Sequence, residues 1–414
     1  MSRLATDRTG FPASVPAPYV PQPQTRIVAL AAGTLALCAL ALAVPYGWRH
    51  AALFLLGGAL GVVLYHAAFG FTAAFRALVS VGDTRGLRAQ MLMLAVATVL
   101  FAPMLSAETV FGTEVGGAVA PVGLSVLLGA AVFAVGMQLA GGCGSGCLVN
   151  LGGGGASMLV ALVGFAAGSL IATVHAAFWR ELPSAGAISL GEALGWGPAV
   201  ALQLAAFAAI AYAARVYERR RLGDVRPVQP PVRGWRRALH GPWPLAAGAV
   251  ALAVLNAGVV VLAGHPWGIT WGIMLAGAKL TQALGLDVTA IPFWSDGFPA
   301  DALAAPLVSD TTAMMDTGII LGAALAAGLA GRFHVGRVTM SRAVVALGGG
   351  LLLGYGARLA FGCNIGAYFS GIASTSLHGW VWLAGALLGT PLGVFLRRLL
   401  TDAYSRTGVG GDGR

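Results

Sequence analysis

The chain has 414 residues, 57% of them hydrophobic and only 10% charged, with a mean hydropathy of +0.81. Soluble domains carry about 25% charged residues, so one large soluble core is excluded and an all-α polytopic bundle of membrane helices is indicated. The net charge of +10, from 25 Lys and Arg against 15 Asp and Glu, collects at the ends of apolar runs, as the positive-inside rule demands. No basic, aromatic-interleaved domain is present, so no nucleic-acid partner is expected.

The 61 glycines fit the same reading. Glycine costs about 1 kcal/mol in a soluble helix, but small residues let membrane helices approach closely. Four cysteines form no disulfide framework.

Residues 1–26 are polar and rich in proline (Pro12, Pro16, Pro18, Pro21, Pro23). They are expected to form a disordered cytoplasmic tail rather than a cleavable signal peptide. A spanning helix needs about 20 apolar residues. Candidate runs are 27–44, 50–65, 89–105, 119–141, 156–177, 196–216, 244–264, 267–286, 313–331, 343–360 and 378–397. They divide into a first transmembrane half, 27–216, and a second, 242–400, joined by a basic linker, 217–241, and followed by a flexible tail, 401–414. Three pieces are too short to cross, 67–79, 142–152 and 363–375. Each lies beside a long run and contains glycine, the pattern of re-entrant or broken helices.

The linker holds Arg219, Arg220, Arg221, Arg226, Arg233, Arg236 and Arg237, and is expected to be cytoplasmic. Arg26, Arg85, Arg88, Arg332, Arg337, Arg342, Arg397 and Arg398 mark further cytoplasmic ends, whereas loops 106–118 and 287–310 carry acids without Lys or Arg. The chain is thus expected to sit multi-pass in a bacterial inner membrane with its N-terminus cytoplasmic. Between 241 and 313 the alternation breaks. Either 244–264 or 267–286 fails to cross, or 288–310 adds a crossing.

An internal repeat is more specific than hydropathy. Residues 136–143 read Gly-Met-Gln-Leu-Ala-Gly-Gly-Cys, and residues 356–363 read Gly-Ala-Arg-Leu-Ala-Phe-Gly-Cys, matching at five of eight positions at an offset of 220. Each copy closes a long helix and precedes a small-residue segment and another long helix. The charge pattern runs 119–141 from outside to inside and 343–360 from inside to outside, so the copies are expected to be inverted. Inverted repeats place transporter sites near the midplane.

The first motif is Gly141-Gly142-Cys143-Gly144-Ser145-Gly146-Cys147, and the second is Gly362-Cys363-Asn364-Ile365-Gly366. Glycine allows a sharp turn beside each thiol. A half-helix starting after the turn would present free N–H groups and its positive dipole end. Such donors compensate a buried anion without fixed charge, and a weak neutral site can release it. Sulfur is also a soft partner for sulfur. Candidate binding residues are therefore Cys143, Cys363, Cys147, Gly142, Gly144, Gly362, Asn364 and Arg358. Cys147 has Ala367 as its counterpart, and suits a redox pair, a soft-metal pair or a second relay thiol. No nearby His or further Cys completes a zinc site, and Cys38 is a packing residue.

Arg358, inside an apolar run, either attracts anions or snorkels to the interface. Lys279 either pairs with an acid or attracts anions. His66, His175 and His378 lie near helix ends and are expected at the interface. So are Trp48, Trp196, Trp267, Trp271, Trp380 and Trp382. No nucleophile triad, phosphate loop or paired carboxylate site is present, so no catalysis and no cofactor is expected.

These phrases resemble the YeeE/YedE family of sulfur-compound transporters, which includes bacterial thiosulfate transporters. The resemblance rests on residues 139–146, on Gly354-Tyr355-Gly356-Ala357-Arg358-Leu359-Ala360-Phe361-Gly362-Cys363-Asn364-Ile365-Gly366, on Gly371-Ile372-Ala373 and on Leu377-His378-Gly379-Trp380. Phe69-Gly70-Phe71-Thr72-Ala73-Ala74-Phe75-Arg76 is also similar, and the whole extends over about residues 50–397. It implies an hourglass channel of two inverted halves. Thiosulfate would pass along the central thiols of Cys143 and Cys363, held by thiol-to-sulfur hydrogen bonds. A TusA-like sulfur-carrier protein would be the cytoplasmic partner. The sequence departs from the family at Gly70, where a third thiol is often found after an Arg-Phe pair, and at the additional Cys147. The altered thiol set leaves sulfite, sulfide-related and selenium compounds open as cargo. The rival readings are a membrane thiol redox protein and a scaffold that recruits carrier proteins through 217–241.

Overall fold

The computed structural model describes residues 22–228 and 236–406. The expected tails at 1–21 and 407–414, and the linker centre at 229–235, lie outside the described residues. Residues 22–26 are placed within the fold, because the Gln24 side chain exchanges two hydrogen bonds with the Phe333 backbone, each 3.0 Å.

The apolar runs form α1 (Thr25–Tyr46), α2 (Trp48–His66), α3 (Phe71–Val81), α4 (Arg85–Ser106), α5 (Leu124–Ala140), α6 (Gly144–Gly152) and α7 (Ser157–Val174). They continue as α8 (Trp196–Leu222), α9 (Leu245–Ala263), α10 (Thr270–Ala283), α11 (Thr311–Leu329), α12 (Met340–Leu359) and α13 (Leu377–Arg406). Between α12 and α13 lies a π-helical turn, Asn364–Ser370. Two short antiparallel strand pairs, Thr109–Val110 with Thr113–Glu114 and Pro121–Gly123 with Ser184–Ala187, join loops at the acid-rich end.

Among the described residues ten helices are long and apolar enough to cross a membrane, counting α2 with α3, α5 with α6, and α12 with the π turn as single broken spans. The irregular count between 241 and 313 resolves at α10. With 14 residues it is about 21 Å long, short of the roughly 30 Å hydrocarbon core.

Close helix packing turns the repeat into symmetry. A Cβ on Gly129 would stand 2.9 Å from the Gly356 carbonyl oxygen, and one on Gly356 would stand 2.5 Å from that of Gly129. Further along, Gly136 meets Gly349. Partner numbers fall on α12 as they rise on α5, so the two repeat helices cross antiparallel. α13 lies parallel to α5, with Gly385 against Leu127 and Gly389 against Ala131, and α7 lies parallel to α12, with Gly164 against Leu347 and Gly168 against Leu351. Each half thus supplies one helix of a pair that the other half completes.

At the arginine-rich end the start of the linker is bound to the α3–α4 loop. Arg88 donates to Glu218 at 2.9 Å with both side chains buried, and Arg226 pairs with Asp83 at 3.0 Å. Burial by itself raises the Asp83 pKa, but hydrogen bonds and charge from Arg85 and Arg226 outweigh it and hold the carboxyl below its usual range.

Several residues expected at the interface are buried instead. Trp267 and Trp382 are enclosed in protein. His66 packs on Trp243, and His378 is hydrogen-bonded to Ser376 at 2.6 Å. The reason is glycine on the facing backbone: a Cβ on Gly371 would meet the His378 ring at 2.7 Å. His175, in contrast, is exposed and bonds the Tyr355 hydroxyl at 3.1 Å. Lys279 forms no ion pair among the described residues, its ammonium donating to the carbonyls of Leu303 and Ala305.

Candidate functional site

Each cysteine turn is built by backbone that L side chains rarely adopt. Gly141, at φ +87°, ends α5 in the left-handed region, and Cys143 then caps α6 in extended conformation. In the second copy Phe361 (φ +55°) and Gly362 (φ +144°) make the turn, and Cys363 caps the π helix. A non-glycine residue with positive φ costs about 1–3 kcal/mol, which glycine avoids in the first copy. Beyond each turn the same hydrogen bond recurs: Cys147 N donates to Cys143 O at 2.8 Å, and Ala367 N to Cys363 O at 3.0 Å. A Cβ on Gly142 would lie 3.1 Å from Cys147 N, and one on Gly362 would lie 2.8 Å from Ala367 N. The repeat therefore extends to the path of the chain around each thiol.

The two turns meet. A Cβ on Gly144 would stand 3.6 Å from the Cys363 Sγ and 3.4 Å from Ile269. Cys143 is 2% exposed and Cys363 0%. The Cys143 Sγ contacts the Ser145 hydroxyl at 3.3 Å, while the Cys363 Sγ accepts from its own helix at Ile365 N, 3.4 Å. Cys143 borders a cavity of about 270 Å³ toward the arginine-rich end, shared with Gly70, Thr72, Gly142, Ser145 and Asn150. By this measure one water needs about 10–15 Å³, so the cavity is large enough for several waters.

The remaining predicted residues fall in different places. Asn364 starts the second half-helix fully buried, and neither atom of its side-chain amide has a partner among the described residues. Such a group beside a thiol is a ready donor and acceptor for a ligand. Cys147 is turned into the protein, its thiol donating to Gly142 O at 3.8 Å. Its i,i+4 relation to Cys143 is not that of two helical neighbours, because Cys143 precedes the helix. Arg358 lies away from the thiols, at the acid-rich end. There it shares a cavity of about 330 Å³ with Arg180 and Phe293, its guanidinium 5.5 Å from the Phe293 ring and 3.6 Å from the Met274 sulfur.

Sequence reasoning missed Thr72 as a site residue, which lines the cavity beside Cys143. It also missed Gln90, which accepts from the Tyr368 hydroxyl at 3.2 Å. The available signal was a polar residue within an apolar helix.

Comparison with known proteins bears on this geometry. A family profile described as "Sulphur transport" matches residues 66–392. The chain is 29% identical over 157 residues to the probable transporter YedE of Salmonella typhimurium, covering 36% of this chain and 37% of that protein. It is 29% identical over 168 residues to the probable transporter YedE of Escherichia coli K12, covering 38% and 40%. Over 73 residues, 17% of this chain and 22% of that protein, it is 41% identical to the thiosulfate transporter TsuA of Spirochaeta thermophila. The matched stretch thus spans 37–40% of the length of the two YedE relatives.

Proposed function

This chain belongs to the sulphur transport family, and from that premise we propose that it takes up thiosulfate, or a closely related small sulfur anion, across a bacterial inner membrane by passing it between Cys363 and Cys143. The arginine-rich end is cytoplasmic by the positive-inside rule, which puts the N-terminus inside. The anion gathers at the outer cavity carrying Arg180 and Arg358. It is then held by the two thiols, the Asn364 amide and the first amides of α6, and leaves through the cavity beside Thr72 and Ser145. Thiols donate weak hydrogen bonds and are polarizable, so contact with a terminal sulfur is brief. No covalent step is needed, and the protein is not an enzyme.

One observation carries the reading: the two glycine-flanked cysteine turns, which end antiparallel repeat helices, lie so close that a Cβ on Gly144 would stand 3.6 Å from the Cys363 Sγ. The choice of thiosulfate is supported by the similarity to the thiosulfate transporter TsuA of Spirochaeta thermophila. A small sulfur-carrier protein of the TusA-like kind would receive the cargo at the arginine-rich face. A dithiol redox reading has less support, because the Cys143 sulfur contacts Ser145 while Cys147 donates to Gly142.

The test is growth of a sulfur auxotroph on thiosulfate as sole sulfur source. Cys143→Ala and Cys363→Ala, each at matched expression, are expected to lose growth. Full growth of both would remove the thiol relay.

A further inference from the structure

Asp316, on α11, lies outside the thiol site and has no role in the relay. It is 6% exposed, and neither carboxylate oxygen has a hydrogen-bond partner among the described residues. It borders a cavity of about 410 Å³ between α7, α10 and α11, walled mainly by aliphatic residues such as Leu148, Leu162, Ile273 and Ile320. Gly272 of α10 closes over it: a Cβ there would stand 2.7 Å from the Asp316 Oδ2. An uncompensated carboxylate in such surroundings costs several kcal/mol, and ionisable groups buried in membrane spans mark ion pathways and proton relays.

The neighbouring charged groups are engaged elsewhere. Asp310, at the start of α11, accepts from Trp271 Nε1 and Ala313 N, each at 2.8 Å. Lys279 of α10 is held by two backbone carbonyls. α6 contributes Cys147, and α7 contributes no titratable group. α2 carries Arg49, His50, Tyr65 and His66 only at its ends, and α1 carries Arg26, Cys38 and Tyr46. Ile269 and Gly272, three residues apart at the start of α10, lie against the Gly144–Cys363 contact and against Asp316 respectively, so the carboxylate sits about one helical turn from the second cysteine turn. The ion pairs Arg85–Asp83, Arg88–Glu218 and Arg226–Asp83 all lie at the arginine-rich end.

A hard metal cation takes six or more oxygen ligands, and no cluster of three His, Cys, Asp or Glu gathers here among the described residues. A proton needs one carboxylate. We propose that Asp316 is the proton site of this transporter, so that a proton and the sulfur anion cross together. On the acid-rich side the carboxylate takes up one proton and becomes a neutral acid. On the arginine-rich side it gives that proton up, and no bond to sulfur is made or broken. The coupling is electrostatic. A charged Asp316 repels an anion near Cys363, and a neutral one does not, so each occupant favours the other by linkage. This inference rests on the sulfur-anion reading.

The test uses the full chain in liposomes with radiolabelled thiosulfate, an imposed pH gradient and a clamped membrane potential. The wild type is expected to accumulate thiosulfate above equilibrium when the outside is acidic. Asp316→Asn is expected to lose that accumulation while keeping thiosulfate–thiosulfate exchange within about threefold. Gradient-driven accumulation undiminished in Asp316→Asn overturns the proposal. So do wild-type uptake indifferent to the gradient and loss of exchange in a folded Asp316→Asn. If Asp316→Asn does not fold, Asp316→Glu decides: a displaced pH profile of uptake supports the proton site, and an unchanged one overturns it. Absence of any thiosulfate flux in the wild type would instead defeat the anion reading.

Discussion

In the first cysteine turn the sulfur borders a cavity, whereas in the second it is held by its own half-helix. The backbone hydrogen bond behind each is the same. What differs is the following side chains, Gly144 and Ser145 in one copy, Asn364 and Ile365 in the other. The walls differ too. Trp382 donates to Gly362 O at 3.2 Å and stacks on Tyr368 with ring centroids 5.8 Å apart, closing the second turn. Ala367 N and Tyr368 N both donate to Cys363 O, which widens that turn into a π helix, a distortion common at functional sites. The same backbone device thus has an open member and a closed member, and they come together at Gly144, where a Cβ would stand 3.6 Å from the Cys363 sulfur.

The sharpest way to break this pair is to fill the point of contact. Gly144→Leu places a side chain where Ile269 and the Cys363 sulfur already lie at 3.4 and 3.6 Å. Thiosulfate uptake into cells is expected to fall by about 100-fold, on the order of 3 kcal/mol in barrier, with the protein still monodisperse by size-exclusion chromatography. Uptake close to that of the wild type would show that the anion does not pass between the turns.

A middle effect comes from making the copies alike. Asn364→Gly removes the unpartnered amide and restores the residue of the first turn. Loss of one hydrogen bond to a charged ligand is worth about 1.5–3 kcal/mol, so about a tenfold or greater loss of thiosulfate affinity is expected in calorimetric titration. An unchanged affinity would confine Asn364 to folding.

The smallest effect tests the open side. Gly70, the α3 cap, has a φ of −103° that any residue tolerates, and a Cβ there meets nothing closer than 3.5 Å. Gly70→Cys is expected to change thermal stability by about 0.5 kcal/mol or less and to leave uptake nearly unchanged. It should add a thiol that reacts with a small maleimide from the arginine-rich side, and thiosulfate should slow that reaction. A thiol that resists the reagent would mean that the cavity does not open there.

Much of this was legible beforehand because hydropathy and charge are local properties. The runs around α5, α7, α12 and α13, the short pieces beside them and the repeat at offset 220 all appear in the structure. Less legible were residues whose role depends on what faces them. Trp267 and Trp382 carry the composition of interface anchors, yet both are enclosed in protein. Arg358 has the sequence position of a thiol neighbour but opens onto a separate cavity at the acid-rich end. Asp316 was hidden within an apolar run, its significance resting on the absence of a partner among the described residues.

By itself the sequence determined a membrane-embedded all-α chain, its internal repeat and the paired glycine–cysteine turns, since apolar length, arginine placement and backbone freedom are written residue by residue. Only the tertiary structure decided that α10 stops short of a crossing, that α5 and α12 lie antiparallel through facing glycines, and that Gly144 brings one turn against the sulfur of the other. Those outcomes depend on contacts between segments far apart in the chain, such as Gly144 with Cys363, where shape complementarity rather than local propensity selects the arrangement.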